Sequence, residues 1–167
     1  MNLAVGAGFA LSASSVQAQS QTDGSSNVCE AAEVVLAEGI ETELQIACGT
    51  AAVMLGRTDS HELIQLPSLN AAVALTVRQG TRRAWLVMKD PDGSLALEEI
   101  TGTLARIGGR GARRDIDGMD IIFEDLNTGR LTALVRSQGR NDVTLDLAGM
   151  VGRSRAAREA ASQARAN

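Results

Sequence analysis

From Glu43 to Leu147 the apolar residues recur mostly at every second position, the period of a half-buried β-strand. Leu44, Ile46 and Cys48 alternate with polar neighbours, and Thr50–Leu55 continues as a short apolar run beyond Gly49. Val73, Leu75 and Val77 form the next alternating set. Ala84, Leu86 and Met88 follow, facing away from Trp85 and Val87. Asp90-Pro91-Asp92-Gly93 then reads as a type I turn, with Pro and Gly at the positions that turn favours. Leu95 and Leu97 resume the alternation and complete a hairpin. Further strands are predicted at Thr103–Ile107, Met119–Glu124, Arg130–Arg136 and Asp142–Leu147, with Gly and Asn turns between the last three. Short alternating strands of this kind predict a mainly β fold, an antiparallel sandwich or small barrel of about seven to nine strands.

The two ends of this region follow a different period. Val28, Ala32, Val35 and Leu36 lie at helical spacing, with Asn27 and Glu30 placed as a capping box and Gly39 as a terminator. A short N-terminal helix is therefore expected. After Gly152, arginines punctuate an alanine-rich stretch that favours a helix. Ala157, Ala160, Ala161 and Ala164 would share one face, with Arg155, Arg158 and Arg165 roughly opposite. An alanine stripe buries little area, so a frayed tail is expected rather than a docked helix.

Ahead of the domain, Leu3–Leu11 is an apolar run followed by small residues ending Val16-Gln17-Ala18, the pattern of an export signal with its cleavage site. The organisation expected is a signal peptide at 1–18, a flexible lead-in at 19–27, one β-rich domain at 28–150 and an Arg/Ala-rich tail at 151–167. The apolar run is far below the roughly 18 residues of a spanning helix, so a periplasmic or secreted protein that does not span the membrane is expected. Cys29 and Cys48 are the only cysteines. In an oxidising compartment an even count reads as a disulfide.

Composition narrows the chemistry. The formal net charge is −4, which does not suit a general nucleic-acid binder. Beyond the signal only Trp85 and Phe123 are aromatic. Sugar-binding faces and single-strand nucleic-acid platforms depend on more rings than that. His61, in Asp59-Ser60-His61, is the single histidine and reads as an exposed loop residue, since adjacency in sequence is not a triad. Glu98 and Glu99 are neighbours on a predicted strand and would point to opposite faces. Asp115, Asp117 and Gly118 resemble half of a calcium loop but lack its remaining ligands, and a polar turn explains them as well. The sequence thus assigns no catalytic, cofactor or metal residue.

One surface feature stands out. Arg106, Arg110, Arg113 and Arg114 share nine residues with three glycines, a basic loop suited to an anionic surface or an acidic partner. The function expected is that of an exported non-catalytic β-domain acting by protein contact, as an accessory or scaffold subunit of a cell-envelope assembly. A binding module for a small apolar ligand is the first alternative, and a carboxylate-dependent hydrolase the second.

Overall fold

The computed structural model describes residues 28–36, 42–109, 116–126 and 130–166. The segment expected to be the export signal and its lead-in lies outside them. The described residues form the mainly antiparallel β architecture expected, with ten strands in three sheets and two α-helices.

The first sheet holds β1 (Cys29–Val35), β2 (Thr42–Cys48) and β3 (Ala51–Gly56) in the order β1-β2-β3. The central sheet holds β4 (Ser60–Leu66), β5 (Ala71–Arg78), β6 (Thr81–Lys89) and β7 (Leu95–Glu99), in chain order. Helix α1 (Thr101–Ile107) leads on to the third sheet. That sheet is made of β8 (Met119–Leu126), β9 (Arg130–Ser137) and β10 (Val143–Asp146), in the order β10-β9-β8. Helix α2 (Leu147–Ala166) follows β10.

The central sheet is covered on both sides. On one face Ala72, Ala74 and Val87 pack with Leu44, Ile46 and the two cysteines of the first sheet. On the other, Val73, Leu75, Leu86 and Met88 pack with Leu104 of α1, Ala133 and Val135 of β9, and Leu147 and Val151 of α2. This is why Ala71–Thr76 is buried without a break. In the register of β5 and β6, Trp85 stands opposite Ala74, and its indole Nε1 donates to Thr76 Oγ1 at 3.0 Å. The small alanine beside it leaves room for the ring, and the hydroxyl satisfies its only polar group.

Two turns show how the local sequence sets the central sheet. In the β6–β7 turn the Asp92 carboxylate accepts from both the amide and the hydroxyl of Ser94, which holds its pKa below the ordinary carboxylate value. In the β5–β6 hairpin, Gln79 (φ 50°) and Gly80 (φ 74°) both adopt positive φ, as a two-residue mirror-image turn requires. Glutamine is poorly suited to this region, and its amide is held there by Asp59 Oδ2 at 2.6 Å. Gln79→Asn keeps the turn and eases the backbone, so chemical denaturation should show a gain of roughly 0.5–1 kcal/mol.

Several elements differ from the sequence expectation. The N-terminal segment is not a helix: all seven residues of β1 pair with β2, Cys29 opposite Cys48 through Val35 opposite Thr42. The positions that carry the helical spacing are not the buried ones, since Val28 and Val35 are 46 % and 62 % exposed. Cys29 and Ala31 face the core instead. Tertiary pairing has overridden a weak local pattern.

Residues 101–107, read in part as a strand, form α1. Its entry residue Ile100 offers no side-chain cap, so the usual start signal is missing. Thr101 Oγ1 accepts from the Ala84 amide at 3.0 Å, and Ile100, Leu104 and Ala105 turn inward at helical spacing. Gly108 ends the helix against Met119, whose Sδ would lie 2.9 Å from any β-carbon placed there. Strand β4 was not apparent from alternation, because as an edge strand it half-buries both Leu63 and Ile64.

The C-terminal segment is a docked helix, not a frayed tail. Asp146 Oδ1 caps it by accepting from Gly149 N at 2.9 Å. The docking face is not the alanine stripe. It comprises Leu147, Met150, Val151, Ser154, Arg155 and Arg158, the spacing of one helical face.

Candidate functional site

The disulfide predicted from composition is present, joining Cys29 to Cys48 across the β1–β2 pair with Cα atoms 4.2 Å apart. That separation fits a non-hydrogen-bonded antiparallel pair, in which both backbone polar groups of Cys29 turn away from β2. They meet Gln65 of β4. The Gln65 carboxamide Oε1 accepts from Cys29 N at 2.9 Å, and its Nε2 donates to Cys29 O. One side-chain amide thus supplies the donor and acceptor that another strand would have offered, tying the first sheet to the central one.

The structure separates most of the other residues singled out in the sequence. Arg106 is exposed in the last turn of α1, where its Nη2 donates to Thr103 Oγ1 at 3.3 Å. Arg110, Arg113, Arg114 and Asp115 lie outside the described residues. Asp117 sits in the exposed turn before β8, and Asp120 is exposed on that strand. His61 is exposed on strand β4, opposite Thr76, rather than on a loop. It does not converge with Asp59, whose carboxylate serves the turn at Gln79. Glu98 and Glu99 do occupy opposite faces, paired with Leu86 and Trp85 respectively. Among the described residues, no group of three or more His, Cys, Asp or Glu side chains could hold a metal ion. No helix among them is long and apolar enough to cross a membrane.

The feature that sequence reading did not anticipate is the seat of α2. Arg155 Nη2 donates to Leu69 O and Lys89 O, each at 2.8 Å, and to Asn70 O at 3.3 Å. Arg158 grips Asp90 with two bonds, Nε to Oδ2 at 3.1 Å and Nη2 to Oδ1 at 2.6 Å. Its remaining nitrogen donates to Ser154 Oγ at 2.7 Å. The two guanidiniums therefore clasp the chain reversals at the end of the central sheet, where Lys89 N also donates to Asn70 O. Forked, planar donors suit this task because one group can reach acceptors on separate strands. The sequence signal was the i, i+3, i+4 continuation from Leu147 through Arg155 and Arg158, in which arginine takes the place of an apolar residue.

Beyond Arg158, all eight residues of α2 from Glu159 to Ala166 are exposed. Alongside runs β7, an edge strand of the central sheet. Between them lies a groove of about 700 Å³, lined by Ala96 and Glu98 of β7 and by Arg153, Ser154, Ala157 and Ala161 of α2. An edge strand offers backbone hydrogen-bonding groups to an added strand, and on the helix side Ser154, Ala157 and Ala161 leave room between the larger Met150, Arg153 and Arg158. Comparison of the chain with protein-family models, with curated proteins and with solved structures gave no match in any of the three.

Proposed function

We propose that this protein is an exported, non-catalytic β-domain that works by protein contact, as an accessory or scaffold subunit of a cell-envelope assembly. The observation that carries the reading is the groove between α2 and the edge strand β7. The helix is clasped at Arg155 and Arg158, yet its last eight residues are all exposed, a length of helix that internal packing does not cover. The disulfide supports the exported part of the reading, because such bridges persist where thiols are oxidised.

A photo-crosslinking residue placed at Ala161, in the groove, tests this in the native organism. The expected result is a discrete adduct in the envelope fraction. A residue at Glu33, exposed on β1, serves as the control and should give none. Absence of an adduct from Ala161, or the same adducts from both positions, rejects the groove as the contact surface.

A further inference from the structure

At the mouth between the first and central sheets lies a second concavity, about 310 Å³ in volume, near the lower end of the range for small-ligand sites. Three arginines line it, Arg57 from the end of β3 and Arg78 and Arg83 from the central sheet. The register explains why two of them converge with the indole. Thr76 pairs with Arg83, Ala74 with Trp85 and Arg78 with Thr81, so these side chains share the face that turns toward the first sheet. Thr76 and Thr81 also line the space.

Two of these charges, on Arg78 and Arg83, are weakly compensated. Arg83 Nε is 4.0 Å from Glu99 Oε1, at the limit of an ion pair, with both side chains about two-fifths exposed. Asp59, two positions beyond Arg57, accepts from the Gln79 amide. Arg78 is exposed and makes no ion pair or side-chain hydrogen bond among the described residues. Guanidiniums gathered on a concave wall repel one another and are relieved by an anion that accepts from more than one of them. Trp85 adds a flat apolar wall, fixed in orientation by its bond to Thr76.

We infer that this mouth is a binding site for a small organic anion, a carboxylate or phosphate attached to a flat apolar group, with Arg78 and Arg83 holding the charge and Trp85 the flat part. The site is separate from the groove beside α2, and its fate does not depend on that contact surface.

Trp85 is the only tryptophan in the chain, so its fluorescence reports on this site alone. Phenyl phosphate, titrated at constant ionic strength held with chloride, is expected to change the emission saturably. Arg78→Ala and Arg83→Ala should each weaken that binding about tenfold, and Arg78→Lys less. Both arginines are exposed, so the variants are expected to melt as the parent does. A response that does not saturate, or that is the same in the alanine variants, overturns the site. An equal response to benzyl alcohol shows an apolar pocket and removes the arginines from it. An equal response to inorganic phosphate removes the indole and overturns the organic part of the assignment.

Discussion

Replacing Cys29 and Cys48 together by alanine should lower the unfolding free energy by about 3 kcal/mol, the loss expected when a closure of this length is removed from the unfolded chain. The bridge spans 19 positions, and both cysteines are at most 4 % exposed. A typical domain is stable by only about 5–15 kcal/mol, so the change should be plain as a fall in the denaturant midpoint. The alanines fit the sites in size and leave the Gln65 bonds to the Cys29 backbone in place. The effect should therefore come mainly through the unfolded state. Because the sulfurs are covered, dithiothreitol should reduce the native protein slowly and the denatured protein at once. A midpoint that does not move would mean that the β1–β2 pair is already restrained without the bridge.

Removing the Arg155 guanidinium is the second large change expected. Arg155→Met should cost about 2 kcal/mol, because the carbonyls of Leu69 and Lys89 lose a charged donor in a partly buried place. It should also lower the melting temperature by about 6 °C for a chain of this size. The side chain is 28 % exposed, so a methionine stem can retain part of the packing while the polar contacts go. Arg155→Lys should recover only part of the loss, since one ammonium cannot both reach the carbonyls that Nη2 serves and replace Nε, 3.6 Å from Asp90 Oδ1. Trypsin should then cut at Arg158 and Arg165 faster than in the parent. An unchanged melting temperature and an unchanged cleavage rate would show that Leu147, Val151 and the Arg158–Asp90 pair seat the helix without Arg155.

Much of the β architecture was legible because its strands alternate in the expected way. β2 reads correctly from Leu44, Ile46 and Cys48, and the β6–β7 hairpin from Asp90-Pro91-Asp92-Gly93. The disulfide was legible from two cysteines and an inferred compartment. What was hidden has identifiable causes. β1 carries its burial on Cys29 and Ala31 rather than on its valines, so its period misled. β4 borders both layers and shows no single apolar face. α1 lacks a capping residue, and its threonines favour extended structure when read alone.

The helix α2 is the most instructive difference. Sequence reading weighed its alanines, whereas the structure docks it through Leu147, Val151 and two arginines that bond across the fold. The acceptors for Arg155 are backbone carbonyls at residues 69, 70 and 89, whose positions only the folded topology supplies. The candidate contact groove was hidden for the same reason, because it forms only where that helix passes an edge strand more than fifty positions earlier in the chain.

A rod held along one stretch and left uncovered along the next behaves as a cantilever. Eight residues of helix give α2 an arm of about 12 Å beyond Arg158. Tension applied at the tip by an attached neighbour would pass through the guanidiniums into the bends at Asn70 and Asp90. Leu147 and Val151 root the same helix in the aliphatic interior, so a load on the arm would be shared between the arginine clasp and the core.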